Sequence, residues 1–436
     1  MTKWLRTVAL VGASFAGGAV SAHMSHASSE RESPYAPLGQ MARVLVFLEN
    51  QYVDPIERQR ILDGSIKGMV AELDPHSAYM DPKEFALFNQ DTEGTFGGIG
   101  VEVDFKDDFV MVIVPIPETP AARAGIRSGD YIIAVDNKLL RGMSIDKIVR
   151  LMRGPPKTKV RISVKRKGVE EPLHFDLMRE HIHVRSVEGK RLSENIGYLR
   201  LKQFQQGTHQ ELLEEIALLR KSADAPLRGI IFDMRNNPGG LVDEAEAVAD
   251  ELLDGGVIYS TRHRGKILEE VHAHRGGALS RYDITVLVNE YSASSAELVA
   301  GAIQDHDRAT IIGARTFGKG SVQTIFQLPG GAGLRLTTMR YYTPDGHAIQ
   351  AAGIQPEILV EHQSEDGNTN TAWREDQLEG HLAPEATTSR APRKALKGGK
   401  RPEYKPIAQI GSDPRKGDDF ALKVAFEELL ARKIAR

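Results

Sequence analysis

A regular alternation of strand-like and helix-like segments between residues 196 and 313 constrains the fold more than any other feature. Short apolar runs alternate there with longer segments whose apolar residues recur every three or four positions. The predicted strands and helices are, in chain order, Ile196–Leu201, His209–Lys221, Gly229–Met234, Val242–Leu253, Ile284–Val288, Ser294–His306 and Ala309–Gly313. Strands that alternate with helices form mostly parallel sheets covered by helices. The sequence therefore predicts an α/β core, which we place at residues 180–362.

The flanking regions differ in character, and 436 residues are too many for one hydrophobic core. Residues 28–93 have helical apolar spacing and predict a packing or dimerisation element. Residues 363–404 lack periodicity and carry acidic and then basic charges, which predicts a disordered linker. Residues 405–436 predict a C-terminal amphipathic helix. We expect a homodimer formed through the N- and C-terminal helices.

The N-terminus has the layout of a signal peptide over residues 1–27. Lys3 and Arg6 precede an apolar run from Val8 to Val20, and small residues follow it. The run is short for a membrane-spanning helix, although an uncleaved anchor remains the alternative. We therefore expect a periplasmic or otherwise extracytoplasmic protein. The chain has no cysteine, which excludes a cysteine nucleophile and thiolate metal sites. Its net charge of -3 gives no electrostatic reason to expect binding to nucleic acid.

Ser294 lies where the predicted third strand of the core meets a helix. A hydroxyl at that position stands at the positive end of the helix dipole, beside unpaired backbone N–H groups. Both properties favour an attacking alkoxide and an oxyanion. Serine is also a common helix N-cap, so the position alone leaves a structural role open.

A lysine between two glycines, Gly318-Lys319-Gly320, follows 25 residues after Ser294. Glycines allow the backbone to approach closely and the lysine side chain to be held tightly. A lysine activates a serine only where burial lowers its pKa, because the ammonium form accepts no proton. Ser–Lys pairs are a known variant of the catalytic triad.

A turn with paired glycines, Asn236-Asn237-Pro238-Gly239-Gly240, follows the second predicted strand. Its backbone N–H groups could donate hydrogen bonds to a tetrahedral intermediate. The same residues would also form a tight turn without any catalytic role.

Together these segments, and residues 289–323 in particular, resemble the catalytic stretch of the tail-specific, carboxyl-terminal processing proteases. The resemblance extends over about residues 40–360 and implies a crotonase/ClpP-like core with an inserted PDZ domain. It implies that Ser294 is the nucleophile, Lys319 the base and Gln323 the residue that orients the lysine. By the same resemblance, the amide of Gly239 or Gly240 and the amide of Ser295 form the oxyanion hole. The family usually reads Ser-Ala-Ser-Ala-Ser-Glu where this chain reads Ser-Ala-Ser-Ser-Ala-Glu.

Residues 94–168 resemble a bacterial PDZ domain, most specifically at Pro120-Ala121 and Gly129-Asp130. The resemblance implies a loop whose amides bind the terminal carboxylate of a peptide, an apolar groove beside it and a residue that couples the domain to the core. The corresponding residues are Gly98, Ile99, Gly100 and Val101 for the loop, Ile148 and Met152 for the groove, and Arg153 for the coupling. A peptide in such a domain adds as a strand to the edge of its sheet.

The sequence thus predicts a serine endopeptidase that cleaves exported proteins near their C-termini, with no metal or cofactor. Its expected partners are protein or peptide C-terminal tails and, as a further possibility, a regulatory or adaptor protein. One alternative stays open, a proteolytically inactive PDZ-containing adaptor. An acyl-CoA enzyme of the crotonase type shares the core architecture by analogy, but nothing in the sequence indicates a CoA site. The glycine and lysine spacing from Gly313 to Lys319 matches that of a phosphate-binding loop of nucleotide-binding proteins. Gly320, however, occupies the position where that motif requires Ser or Thr.

Overall fold

A computed structural model describes most of the chain. The described residues are 35–92, 95–106, 109–221, 225–363, 374–385, 390–400, 402 and 405–432. The chain divides into two compact units, one ending at Met69 and one beginning at Val70. No helix among these residues combines the length and apolarity needed to cross a bilayer. The predicted signal peptide at 1–27 lies outside the described residues.

Residues 35–92 are mainly helical. It consists of α1 (Ala36–Gln51), α2 (Arg58–Ala71), the short strand β1 (Ala78–Met80) and α3 (Pro82–Thr92). The chain turns after α2 because the Asp74 carboxylate accepts hydrogen bonds from the backbone N–H groups of His76 and Ser77.

A small β-rich domain follows. Its elements are β2 (Thr95–Gly98), β3 (Val101–Lys106), β4 (Phe109–Pro115), α4 (Pro120–Ala124), β5 (Tyr131–Val135), β6 (Lys138–Leu139), α5 (Ile145–Met152), β7 (Lys159–Lys165) and β8 (Leu173–Met178). The main sheet has the order β3-β4-β5-β7-β8, so β3 is an edge strand. The predicted end of the domain at residue 168 is too early, because β8 pairs with β7 along its whole length.

Two short connections join this domain to the core. The incoming strand β2 pairs antiparallel with the outgoing strand β9 (Glu180–His183). Arg179, directly before β9, is 7% exposed and donates hydrogen bonds to the backbone carbonyls of Leu151 and Met152 at the end of α5. The junction is thereby tied to the helix that precedes it.

The core has the α/β architecture that the sequence predicts. Its elements are β10 (Val187–Arg191), β11 (Ile196–Leu201), α6 (Thr208–Lys221), β12 (Gly229–Asp233), α7 (Val242–Leu252), β13 (Gly256–His263), β14 (Lys266–Ala273), β15 (Asp283–Val288), α8 (Ser295–Asp305), β16 (Thr310–Gly313), β17 (Ser321–Gln327), β18 (Gly333–Tyr342), β19 (Ile358–Gln363), β20 (Lys394–Lys400) and α9 (Phe420–Ala431). Seven of these strands form a sheet in the order β10-β11-β12-β15-β16-β19-β20, parallel except for β10. Every residue of β11 and β12 is buried, as expected for strands covered on both faces.

The two faces of this sheet pack against different helices. Apolar residues of α6, α7 and α8 cover one face, and those of α9 cover the other. Helix α8 is buried at every position from Ser295 to Gln304, which explains its small and apolar composition. A second sheet contains β1, β18, β13 and β14, with β17 paired to β18.

The C-terminal part departs from the sequence-based expectation in two ways. The prediction of a disordered linker over 363–404 is wrong for Glu375–Gln377, a short 3₁₀ helix, and for β20, which extends the core sheet. The charge composition of this segment did not indicate that β20 would pair with β19 at the edge of the core sheet. The apolar side of α9, predicted to serve dimerisation, covers the sheet of its own chain instead.

Candidate active site

Ser294 lies in the turn between β15 and α8 in an unusual backbone conformation. Its φ is 55° and its ψ is -118°, a region that residues with a side chain rarely occupy. Such strain persists only where the surroundings enforce it, and it is concentrated at functional sites. The Ser294 side chain is half-buried, so it remains accessible at the N-terminal end of α8.

The neighbouring Ser295 has a different environment. It is fully buried, and its Oγ donates a hydrogen bond to the Gly240 carbonyl oxygen at 2.9 Å. A hydroxyl that is buried and engaged in this way is a poor nucleophile. The two adjacent serines are therefore distinguished by structure, although the sequence presents them side by side.

Glu297, on the first turn of α8, connects the segments that carry Ser294 and Lys319. One carboxylate oxygen, Oε2, accepts hydrogen bonds from the backbone N–H groups of both residues, each at 2.8 Å. The other oxygen accepts from the Thr316 hydroxyl and the Gly318 N–H. Burial raises the pKa of Glu297 to about 7, although these four hydrogen bonds lower it. The sequence reasoning missed this residue, yet a glutamate three positions after a serine is the capping-box signature.

The segment that carries Lys319 is packed too closely for larger residues. A Cβ on Gly320 would lie 2.3 Å from the Gln350 backbone nitrogen, and Gly318 has a φ of 99°. Burial, with a contribution from the positive charge of Arg335, lowers the pKa of Lys319 to about 8. The neutral amine is therefore more populated near neutral pH than in a lysine of ordinary pKa.

Gln323 has other partners in this structure than the predicted one. It lies on β17, and its Nε2 donates to the hydroxyls of Ser321 at 2.9 Å and Thr337 at 3.4 Å. Among the described residues, no hydrogen bond joins Lys319 Nζ to Gln323 or to Ser294. The structure thus brings the loops together without the side-chain contacts of the predicted triad.

The glycine turn lies directly against Ser294. A Cβ on Gly239 would lie 2.8 Å from the Ser294 Cβ and 3.0 Å from the Ser295 nitrogen, so only glycine permits this approach. The Gly239 N–H donates to Asn237 Oδ1 at 2.9 Å. The Gly240 N–H has no acceptor in the described part of the chain, so it remains available as a donor.

An apolar depression adjoins the nucleophile on the side of the glycine turn. Its lining residues are Asn236, Pro238, Tyr291, Ala293 and Phe317. Two of the lining residues adjoin the site in the chain: Ala293 directly precedes Ser294, and Pro238 directly precedes Gly239. A substrate side chain next to the scissile bond would fit a surface of this kind.

In the PDZ-like domain, the predicted groove residues Ile148 and Met152 lie in the hydrophobic core beside Ile99. They are only 3% and 7% exposed. Helical spacing predicts that this face of α5 is apolar. It does not show whether the face lines a peptide-binding groove or packs in the hydrophobic core. The partly buried residues Val101 and Leu151 pack at the margin of the same cluster.

The predicted carboxylate-binding loop is itself buried from Gly98 to Gly100. The carbonyl oxygens of Ile99 and Gly100 accept hydrogen bonds from the backbone N–H groups of Ala121 and Ile116, which fixes the conformation of the loop. Arg153, the predicted coupling residue, is half-buried at the end of α5.

The His183 side chain has a structural partner. His183 hydrogen-bonds the Glu211 carboxylate at 2.5 Å, and the second oxygen of Glu211 accepts from the Ser186 and Val187 backbone. Within the described ranges, no cluster of three or more histidine, aspartate or glutamate side chains could hold a metal ion.

A strained, accessible serine beside a buried lysine, on an α/β core joined to a PDZ-like domain, defines a serine peptidase with a peptide-binding module. Comparisons with known proteins agree. Residues 195–360 match the sequence model of peptidase family S41, residues 111–166 match a PDZ domain, and residues 10–84 match the N-terminal domain of the activating protease CtpB.

Two curated relatives and one solved structure give the extent of the similarity. The chain is 40% identical over 359 residues to a carboxy-terminal-processing protease of Bartonella bacilliformis, which covers 81% of this chain and 82% of that protein. It is 36% identical over 337 residues to a probable CtpA-like serine protease of Staphylococcus aureus, covering 77% and 67%. The solved photosystem II D1 C-terminal processing protease aligns with 28% identity and a TM-score of 0.46 over 76% of this chain and 88% of that one. The chain belongs to the carboxy-terminal-processing protease family.

Proposed function

We propose that Ser294, Lys319 and Gln323 cleave exported proteins near their C-termini by a Ser–Lys mechanism. The observation that carries the proposal is the Glu297 carboxylate, which binds the backbones of Ser294 and Lys319 through one oxygen atom. The lowered pKa of Lys319, caused mainly by burial, supports its role as a base.

In the proposed reaction, neutral Lys319 accepts the proton of the Ser294 hydroxyl as Oγ attacks the scissile carbonyl carbon. The developing oxyanion accepts hydrogen bonds from the Ser295 N–H and, we propose, the Gly240 N–H, because the Gly239 N–H already donates to Asn237. The Lys319 ammonium then donates its proton to the leaving amine, which produces an acyl-enzyme. Water, deprotonated by the same lysine, releases the new C-terminus and regenerates Ser294.

The adjacent serines provide the sharpest test of the nucleophile. Ser294→Ala should reduce kcat by about 10⁴-fold or more, as expected for removal of a nucleophile. Ser295→Ala is the matched control and should retain most activity, because its amide and not its hydroxyl is required. The measurement is cleavage of an unstructured protein. An active Ser294→Ala enzyme with an inactive Ser295→Ala enzyme would reverse the assignment.

The base is tested by Lys319→Arg, which should be as inactive as Lys319→Ala. Arginine keeps the positive charge but does not give up its proton near neutral pH. An active arginine variant would mean that Lys319 serves only as an electrostatic support. Inactivity of the wild-type protein on every unstructured substrate would favour the alternative, an adaptor with an inactive core.

The second part of the proposal is that the PDZ domain binds substrate tails at the free edge of β3. The tail would add as a strand beside Val101, with its carboxylate at the Gly98–Val101 loop. Glu102 on β3 supports a location facing the core, because it interacts electrostatically with Lys202 and Glu188 of the core and burial raises its pKa. A bound tail would thus lie between the PDZ domain and the protease core.

Three peptides test tail recognition: one ending in an apolar residue, one ending in aspartate, and the apolar one with an amidated C-terminus. The first should be cleaved fastest, since it offers both an apolar side chain and a carboxylate. Equal cleavage of all three would refute reading of the tail by the PDZ domain.

We further propose that the protein acts outside the cytoplasm after removal of the leader. Cleavage between about Ala22 and Glu32 would follow the small residues of the signal pattern. N-terminal sequencing of the native protein tests this, and an intact Met1 in the cytosolic fraction would contradict it.

A further inference from the structure

The segment Arg374–Leu378, which we call the C-terminal strap, crosses the loop that carries Lys319. The Glu375 N–H donates to the Phe317 carbonyl oxygen at 3.2 Å, and Arg374 Nη1 donates to the Thr316 carbonyl oxygen at 2.7 Å. The strap thus holds the backbone two and three residues before the proposed base.

The Glu375 side chain reaches the other side of the same loop. It is fully buried, and its Oε1 accepts a hydrogen bond from Gln350 Nε2 at 2.7 Å. The Oε1 of Gln350 in turn accepts from the Gly320 N–H at 3.0 Å. Backbone and side chain of Glu375 together hold the residues that flank Lys319.

The second oxygen of Glu375 connects this arrangement to the loop after α2. It hydrogen-bonds His76 Nε2 at 2.7 Å, and the His76 carbonyl oxygen accepts from Arg335 Nε at 2.8 Å. His76 is therefore the ionisable side chain that contacts Glu375. The loop that carries His76 also accepts a hydrogen bond from Arg335.

Four charged groups from four segments act on the Lys319 ammonium. Arg335 on β18 disfavours it, whereas Glu375 on the strap, Glu297 on α8 and Asp74 after α2 favour it. Glu297 lies on α8, directly after the nucleophile, and Asp74 lies in the turn after α2. Glu375 lies on neither of these elements. Its removal would change the electrostatics of the lysine without touching Ser294 or the hydrogen bonds of Glu297.

We propose that Glu375 is a positioning residue for the catalytic lysine, holding the Phe317–Gly320 loop and placing a negative charge that acts on Lys319. This inference rests on the proposed role of Lys319 as the base. Glu375 touches neither substrate nor nucleophile and acts through the lysine alone.

The test is the pH dependence of kcat/KM for Glu375→Gln in the full-length protein, measured with an unstructured peptide. The amide keeps a partner for Gln350 and for His76 but removes the negative charge, so the neutral amine should form at lower pH. The acidic limb should move down by about half a pH unit or more, as expected for loss of one nearby charge. Asp376→Asn, the matched control on the same strap, removes a partly exposed carboxylate that faces Arg374 and should leave the limb in place.

A folded Glu375→Gln enzyme whose limb coincides with that of the wild type would overturn the electrostatic role. Should this variant fail to fold, His76→Gln tests the holding role, because it keeps the Glu375 charge and loosens its anchor. That enzyme should lose kcat several-fold with an unmoved limb and an unchanged KM, and wild-type kcat would contradict the proposal. An active Lys319→Arg enzyme would instead overturn the proposed function itself, so the two failures are distinguishable.

Discussion

At the residue scale, the active site depends on two buried ionisable groups with opposite requirements. Glu297 must be ionised to accept its four hydrogen bonds, and Lys319 must be neutral to accept a proton. Burial raises the pKa of the first to about 7 and lowers the pKa of the second to about 8. Both required forms gain population as the pH rises, so we expect activity to increase from pH 6 to pH 9.

The Glu297→Gln variant should lose at least about 10²-fold in kcat, because an amide supplies one acceptor oxygen where the site needs two. In either amide orientation its NH₂ group faces the Gly318 N–H or the N–H groups of Ser294 and Lys319. Leaving buried donors unpaired costs about 1–3 kcal/mol each. Activity assays and urea unfolding check both effects, and a variant with wild-type kcat would show that the carboxylate does not organise the site.

The Lys319→Met variant should be inactive but more stable than the wild type. The pKa of Lys319 falls from 10.5 to about 8 on folding, so the unfolded chain binds more protons between these values. The folded state therefore carries the full cost of a buried ammonium below about pH 8 and loses that cost as the pH rises towards 10.5. Replacing the lysine by an apolar side chain of similar length should add about 1–3 kcal/mol at pH 7. Chemical denaturation at pH 7 and pH 10 measures this, and an equal gain at both would contradict the origin in charge burial.

At the element scale, helix α9 is connected to the glycine turn by a half-buried ion pair. Asp419 is the N-cap of α9, accepting from the Leu422 N–H, and it also accepts from Arg235 Nη1 at 2.9 Å. Arg235 binds Asp233 at the end of β12, just before the turn with Gly239. Burial alone would raise the pKa of Asp233, but the charge of Arg235 outweighs it and keeps the pKa below its usual value. The C-terminal helix is therefore part of the support of the glycine turn.

Asp419→Ala should destabilise the protein by about 1–3 kcal/mol, because it removes a helix cap and one partner of a half-buried arginine. Asp418→Ala is the matched control. Its carboxylate is 68% exposed and pairs with Lys405 on the surface, so its loss should cost under about 1 kcal/mol. Equal thermal unfolding temperatures for the two variants would mean that Arg235 does not depend on Asp419.

Local patterns of apolar residues were sufficient to predict the strands and helices of the core whose burial they reflect. The strand Ile196–Leu201 is confirmed without change, and the helix predicted at 294–306 is observed at Ser295–Asp305. The sequence could not place Glu375 beside the loop that carries Lys319 or β20 beside β19, because both contacts depend on partners distant in the chain. Nor could it separate Ser294 from Ser295 by environment, since backbone strain and burial are properties of the folded turn. The placement of Gln323 on the lysine stays a prediction.

At the scale of the whole molecule, the PDZ domain is attached to the core by its two chain connections, at β2 and β9. Strand β9 ends at His183, whose partner Glu211 on α6 also fixes the Ser186 and Val187 backbone that begins β10. This carboxylate therefore determines where the PDZ domain leaves the core.

The helix α1 bears on the oligomeric state. None of its residues is buried, and Leu38, Val44 and Phe47 are 55%, 51% and 66% exposed. With Met41, Leu45 and Leu48 they form an apolar stripe at helical spacing. Exposed apolar patches of this kind mark interaction surfaces, which supports the expected dimer through the N-terminal helices.

Met41→Glu should therefore shift the full-length protein towards the monomer, because it places a charge near the middle of this stripe. Asn50→Glu is the matched control, since it introduces the same charge on the opposite side of α1. Sedimentation velocity over a range of concentrations measures the effect, and we expect a dissociation constant at least about 10-fold weaker for Met41→Glu alone, the result of a loss of about 1.4 kcal/mol. Identical sedimentation of both variants and the wild type as monomers would show that the stripe has another partner. A dimer that survives Met41→Glu unchanged would place the interface elsewhere on the chain.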